Sequence, residues 1–496
     1  MLLYCILVPI IFPIITGIYM LFRPFKNAKT RNIFVEIMVL INTAITLILL
    51  IIQPEGTLEL FSLGDKLPMT LRIDGMASFF GAIVACLWPL ATLYTFEYME
   101  HEERVNTFLA VYTITYGVTL GVAFSGNIVT LYLFYETLTM VTLPLVMHTM
   151  TDAAKKATRK YLYYMIGGTA FAFIGMVYYA LFSSSIEFTY GGSLDLSKVS
   201  GYMNVVYFVY ILAFFGFGVK AAIFPFHSWL PEASVAPTPV TALLHAVAVV
   251  KAGVFAVMRF TYYCFGADVL YGSWASDVVT IFAMITIVYA STMGLKEPHF
   301  KRRLAYSTVS NLSYIMLAAS LMSPLGLLAG MTHMLFHAIS KINGFFCVGA
   351  VMHRTGKKYV YELDGLGKRM PLTFAAFFVS AMSLAGFPLF SGFISKWKIA
   401  QSLFMEKTTM GDLGVLVLLY SALMTAIYLI SIVIRAYFPS KEVMSNSEQM
   451  KKLEAFSDPS YKMLLPLLIF SIISIVFGIW AGPILDRLSI VANRGF

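Results

Sequence analysis

In the stretch KAAIFPFHSWLPEASVAPTPVTALLHAVAVVKAGVF, residues 220–255, a lysine opens an apolar run, four prolines punctuate it and a second lysine sits near its end. The residues just before it, FFGFGV at 214–219, are apolar throughout. Proline removes a backbone donor and breaks a helix, freeing carbonyls that need water or neighbours. Lys220 and Pro225 therefore mark a broken helix, and Lys251 a charge inside the next one. Broken helices at membrane depth line cavities. A segment of this kind belongs in a membrane bundle that shelters charge.

The rest of the chain agrees. Of 496 residues, 59% are hydrophobic and 12% charged, about half the charged share of a soluble domain. The mean hydropathy is +0.79. Apolar runs of about 20 residues recur, each long enough to cross a hydrocarbon core of about 30 Å. In lipid the backbone must satisfy its own hydrogen bonds, so these runs read as helices. Spans are expected at 2–22, 33–52, 76–95, 107–124, 128–147, 162–182, 205–224, 240–263, 275–294, 304–322, 327–351, 372–395, 413–437 and 463–488. The expected fold is an all-α polytopic membrane protein of about 14 transmembrane helices.

Charge in the loops orients the bundle. The first positive residues, Arg23, Lys26, Lys29 and Arg31, follow the first helix, which places the N-terminus outside. Alternate loops then carry Lys155, Lys156, Arg159 and Lys160, later Lys301, Arg302 and Arg303, and later again Lys441, Lys451 and Lys452. With an even number of spans both termini lie on the outer side of a cytoplasmic membrane. The net charge of +9 reflects this asymmetry rather than nucleic-acid binding. The four cysteines are scattered singly, so neither an iron–sulfur cluster nor a zinc site is expected, and no GxGxxG or Walker loop occurs. The long polar stretch from Arg435 to Lys462 is expected at the inner surface.

Several ionisable residues fall inside the spans: Glu136, Lys220, Lys251, His333, His337 and Lys341, with Lys396 following GFPLFSGFIS. Five full charges at mid-membrane would together cost about 13–17 kcal/mol if unpaired. They must be paired, hydrated or neutralised. Desolvation favours the neutral form of a buried lysine and a nearby carboxylate favours the charged form. Such a lysine can load and release a proton when a neighbouring charge moves. Histidine passes a proton between its two nitrogens. His333, His337 and Lys341 are spaced i, i+4, i+8 on one slowly turning face. His245 and Lys251 point to different faces and serve two sides of a path. The alternative for Glu136 and one lysine is a structural ion pair between helices, but one bridge cannot absorb four lysines.

Lys220 beside Pro225 and Lys396 beside Pro388 lie in the seventh and twelfth spans. A spacing of five helices suggests two internal repeats. The expected divisions are helices 1–3 over 1–100, a first repeat of helices 4–8 over 101–265, a second repeat of helices 9–13 over 266–440, and an inner-surface segment with helix 14 over 441–496.

Residues 220–255 resemble the signature region of the antiporter-like subunits found in respiratory complex I, membrane-bound hydrogenases and Mrp-type Na⁺/H⁺ antiporters, where the comparable member is the D-like type. Further matching pieces are LRIDGMASFF at 71–80, LFYETLTM at 133–140, KRRLAYSTVSNLSYI at 301–315 and LAGFPLFSGFISKW at 384–397. The resemblance implies a 14-helix core with two inverted five-helix repeats and broken helices 7 and 12. It implies that Glu136 is the carboxylate paired with Lys220, that Lys251 and His245 continue the path, and that His333, His337 and Lys341 bridge to the second half. Lys396 would be the terminal exchange group, a position where some members carry glutamate.

The resulting expectation is a proton-translocating subunit, with Na⁺ as the alternative cargo, in a redox-driven complex. The competing reading is a subunit of a stand-alone Mrp-type antiporter. A dead scaffold subunit and a single-chain transporter fit the full set of intramembrane charges or the resemblance less well. The chain itself shows no catalytic centre and no cofactor loop. Iron–sulfur clusters or flavin are expected only in soluble redox partners, and the other partners are membrane subunits of the same complex.

Overall fold

The computed structural model describes residues 2–64, 67–439, 453 and 455–494. Helix dominates. After a 3₁₀ turn the chain forms α1 (Val8–Phe22) and α2 (Ala28–Ile52), then a hairpin of β1 (Leu58–Ser62) and β2 (Pro68–Leu71). Then come α3 (Gly75–Tyr98), α4 (Val105–Ala123), α5 (Ile128–Val146), α6 (Asp152–Phe182), α7 (Met203–Gly218) and α8 (Thr238–Phe265). The second half holds α9 (Trp274–Lys296), α10 (Phe300–Ala319), α11 (Pro324–Thr355), α12 (Pro371–Ala385), α13 (Ser391–Met405), α14 (Thr409–Tyr437), α15 (Tyr461–Ile479) and α16 (Gly482–Arg494). Among the described residues, 12 helices are long and apolar enough to cross a membrane. The protein is a multi-pass membrane protein.

Local chemistry sets the helix ends. Asn127 accepts from the Thr130 amide at 2.9 Å and starts α5 immediately after the short turn at 124–126. Ser323 does the same for α11 by accepting from Gly326 at 3.1 Å. Thr151 starts α6 well before the apolar run expected at 162, so the lysine-rich first turns belong to the helix. Such caps satisfy amides that no intrahelical carbonyl can reach.

Two spans end earlier than the sequence expectation, the second of them at the expected break. The span at 463–488 ends at Ile479, and α16 follows as a separate helix with Asp486, Arg487 and Asn493 along it. Gly482 and Pro483 interrupt the run, and the charges beyond them favour the interface. The span at 205–224 stops at Gly218 and gives way to irregular backbone over 219–228, where Ala222 has φ 56°. The second break, at 386–390, separates α12 from α13. The polar stretch expected at the inner surface, including Lys441, Lys451 and Lys452, lies largely outside the described residues, as does Lys66.

Burial is graded across the bundle. Helices α8 and α11 run through the middle, buried almost along their whole length, while α2, α14 and α15 turn apolar faces outward. A side chain on α8 or α11 therefore sees protein on every side. These two helices carry His245 and Lys251, on α8, and His333, His337 and Lys341, on α11.

Candidate functional site

At the first break the freed groups find new partners. The Val219 carbonyl accepts from the Trp229 indole at 2.9 Å, and the Phe224 amide donates to Thr286 at 3.0 Å. Lys220 is 1% exposed; its ammonium donates to the Tyr135 carbonyl and lies 3.4 Å from the centre of the Tyr135 ring. Glu136 is the next residue on α5, and its Oε1 is buried without a hydrogen-bond partner. Among the described residues no ion pair within 4.0 Å joins Glu136 to a lysine. The Lys220 ammonium is engaged with Tyr135, the residue before Glu136, and the Glu136 carboxylate is within its electrostatic reach. α8 closes against this site at Gly253, where a Cβ would stand 2.9 Å from that of Lys220.

From α8 the line continues through closely placed side chains. Lys251 and His337 are buried, with Nζ and Nδ1 2.7 Å apart. His337 and His333 are near-parallel with ring centres 5.9 Å apart, one helical turn along α11. His333 Nδ1 lies 2.9 Å from the Ser395 hydroxyl, and Ser395 is adjacent to Lys396 on α13. The Lys396 ammonium donates to the carbonyls of Leu384 and Ala385 at 2.7 and 3.1 Å and faces the Tyr314 ring at 5.2 Å. It thus caps the C-terminal end of α12, where carbonyls are free and the helix dipole is negative. Lys341 donates to the Ser307 hydroxyl at 2.8 Å and to the Leu304 carbonyl at 3.3 Å on α10.

His245 stands apart from this line. It lies in a π-helical turn of α8, Leu243–Val247, a local widening common at functional positions. Both its ring nitrogens are buried and unpartnered, and its ring packs on Phe345 at 4.8 Å. Lys341 is within its electrostatic reach. The second ring nitrogens of His333 and His337 are likewise buried without partners. Orphaned polar atoms at this depth are places for ordered water. The geometry brings Lys251, His337, His333, Ser395 and Lys396 into one sequence of groups that can accept and donate protons.

Sequence reasoning missed two ionic features. Arg259, at 0% exposure, bonds Asp74 with both terminal nitrogens, at 2.7 and 2.5 Å, and Arg72 joins at 3.2 Å. Asp74 also caps α3 by accepting from Ala77 at 2.9 Å. LRIDGMASFF is visible as a motif, yet Arg259 lies 185 residues away and carries no local signal. Lys301, 4% exposed, donates to the Ala236 carbonyl beyond the first break at 2.8 Å. The two basic residues that follow it give it the pattern of a loop positive, which hides this buried contact.

The sequence family described as NADH:quinone oxidoreductase/Mrp antiporter, TM, matches residues 125–425, the region that holds both breaks and the lysine–histidine line. The chain belongs to that family. It is 34% identical over 339 residues to a probable K(+)/H(+) antiporter component of the A/B type from Rhizobium meliloti (strain 1021), covering 66% of this chain and 32% of the relative. It is 30% identical over 435 residues to the A1 component of a Na(+)/H(+) antiporter from Staphylococcus aureus (strain Newman), covering 83% of this chain and 52% of the relative. The chain thus spans about a third to a half of these curated relatives, which are named as A-type components rather than the D-like type.

Among solved structures, the membrane-bound sulfane sulfur reductase, an archaeal respiratory membrane complex, aligns with TM-score 0.82 at 24% identity, covering 98% of this chain and 96% of that one. The Mrp complex from Dietzia sp. DQ12-45-1b aligns with TM-score 0.81 at 19% identity, covering 98% and 97%. Both establish the fold. Among the described residues no group of three histidine, cysteine, aspartate or glutamate side chains is placed to hold a metal ion.

Proposed function

We propose that this chain is a proton-translocating subunit of a multisubunit membrane complex, driven by redox chemistry in partner subunits. The observation that carries the reading is the contact line Lys251–His337–His333–Ser395–Lys396 through the buried middle of the bundle. A proton on Lys251 can pass to His337, and the imidazoles and Ser395 lead it to Lys396. Lys220 and Glu136 act as the entry switch: a small shift of either side chain changes how strongly each charge feels the other. Lys341 and His245 tune the middle by electrostatics and through water. The lysines hand protons on and need no bound cation to be neutralised.

In this reading α10 and the interrupted α12–α13 pair add to the 12 long apolar helices to complete fourteen crossings. The halves 101–265 and 266–440 form inverted repeats, each with its own broken helix around Pro225 or Pro388. Residues 1–100 and 441–496 flank them. Both termini lie outside a cytoplasmic membrane, and clusters or flavin belong to soluble partners. The likeness to a respiratory complex supports this assignment at the level of fold. The curated relatives, named as antiporter components, favour a second reading, a subunit of an Mrp-type Na⁺/H⁺ antiporter.

Native mass spectrometry of the complex, purified through a tag on this chain, separates the two. Soluble redox subunits in fixed ratio support the first; only hydrophobic partners support the second, with sodium-dependent proton flux as the next assay. In either complex Lys220→Ala should reduce proton translocation at least tenfold. Undiminished flux in that variant overturns the relay assignment.

A further inference from the structure

A second group of orphaned polar atoms lies outside the Lys/His line, among the N-terminal helices. Glu36 Oε2 on α2, Trp88 Nε1 on α3 and the Tyr112 hydroxyl on α4 are each buried without a hydrogen-bond partner. Trp88 and Tyr112 are 0% exposed, with ring centres 5.2 Å apart, and Glu36 is within electrostatic reach of Tyr112. The helix register brings them together. Two turns onward from Glu36, Thr43 of α2 bonds the Tyr116 hydroxyl at 2.9 Å and the Ala85 carbonyl at 3.2 Å. Tyr112 and Trp88 lie one turn from those partners on their own helices, toward the level of Glu36. Thr92 and Thr95 stand beside Tyr112 on α3; their hydroxyls donate to the carbonyls of Trp88 and Ala91 and keep lone pairs that can accept from Tyr112. The level is about 12 Å along α2 from its start.

The carboxylate oxygen of Glu36 and the indole N–H of Trp88, both left open, call for water or a proton. The indole N–H only donates, so it suits a carboxylate or a water and does not suit a metal cation. We propose that Glu36, with Trp88 and Tyr112, forms a hydrated proton-binding site in the N-terminal helices, separate from the Lys/His relay. The titratable or charged groups on the helices packed around it are Tyr19 on α1, Lys29 and Arg31 on α2 itself, Cys86, Tyr94, Glu97 and Tyr98 on α3, and Tyr112 and Tyr116 on α4. Glu97 is engaged with Ser460. No described lysine, arginine or histidine lies within 4.0 Å of the Glu36 carboxylate. With no cation to hold its charge, this carboxyl is free to take up and release a proton.

Dicyclohexylcarbodiimide tests this on the intact complex in liposomes. The reagent adds to a protonated carboxyl and rearranges to a stable N-acylurea with nothing released, and the adduct is located by peptide mass spectrometry. Glu36 should be labelled at neutral pH and labelling should fall at least tenfold as the pH is raised. Tyr112→Phe, which removes a hydroxyl that water can link to the carboxylate, should move that fall to higher pH. Lys220→Ala should leave it in place, because the site does not depend on the relay. Glu36→Gln should abolish this adduct alone. No label at any pH, or labelling that does not change with pH, overturns the proposal.

Discussion

Lys251 and His337 meet at 2.7 Å with almost no water-accessible surface around them, so each depends on the other for its hydrogen bond. Groups that act as one unit are non-additive when mutated. Lys251→Ala and His337→Ala should each lower proton flux at least tenfold, and the double variant should be little worse than either. Independent, multiplying losses in the flux assay would mean that the contact is structural. The Asp74–Arg259 pair is a different case. Breaking a buried pair leaves an uncompensated charge, at a cost of about 3–5 kcal/mol. Asp74→Asn should therefore lower the melting temperature of the detergent-solubilised protein strongly. Arg72→Gln should move it far less, because that side chain is 27% exposed and exposed pairs contribute about 0–1 kcal/mol.

At the scale of elements, the two broken helices do the positioning. The break between α12 and α13 turns on Gly386, whose φ is 90°, and a Cβ there would come 2.8 Å from Lys396 Cδ. Left-handed backbone costs a residue with a side chain about 1–2 kcal/mol. Gly386→Ala should thus both destabilise the break and displace the Lys396 ammonium from the α12 carbonyls. The expected outcome is a loss of flux larger than the loss of thermal stability explains. Equal flux after correcting for folded protein would show that Lys396 tolerates a displaced cap. The presence of these breaks was legible in the sequence, because Pro225 and Pro388 each stand beside a lysine in an apolar run. Their extent was not: which carbonyls are released depends on partners such as Trp229 and Thr286, and these come from other parts of the chain.

Across the whole molecule, burial makes some of the basic loop residues interdependent with their neighbours. His299, in the turn between α9 and α10, has its pKa lowered to about 4, first by burial and then by Lys301, Arg302 and Lys358. In the unfolded chain it titrates near its ordinary value of about 6.5. The unfolded state therefore binds the extra proton between these values, and stability present above about pH 6.5 is lost as the pH falls toward about 4. The melting temperature should drop over that window, and His299→Gln should flatten the drop. An acid limb identical in the variant would assign the effect to other groups.

Composition and periodicity by themselves determined that this is a helical membrane bundle and which residues carry charge into its apolar runs. Those properties are local: a span is a matter of length and hydropathy, and a charge inside one is visible in the string. Only the tertiary structure decided who touches whom. His333, His337 and Lys341 share a helix face in any reading, yet that Lys251 meets His337, that Ser395 links His333 to the second break, and that His245 stands apart are facts of packing between helices far separated in sequence. The same holds for Arg259, whose partner Asp74 is 185 residues away. Burial converts such encounters into chemistry, because a polar group removed from water must use whatever the fold places beside it.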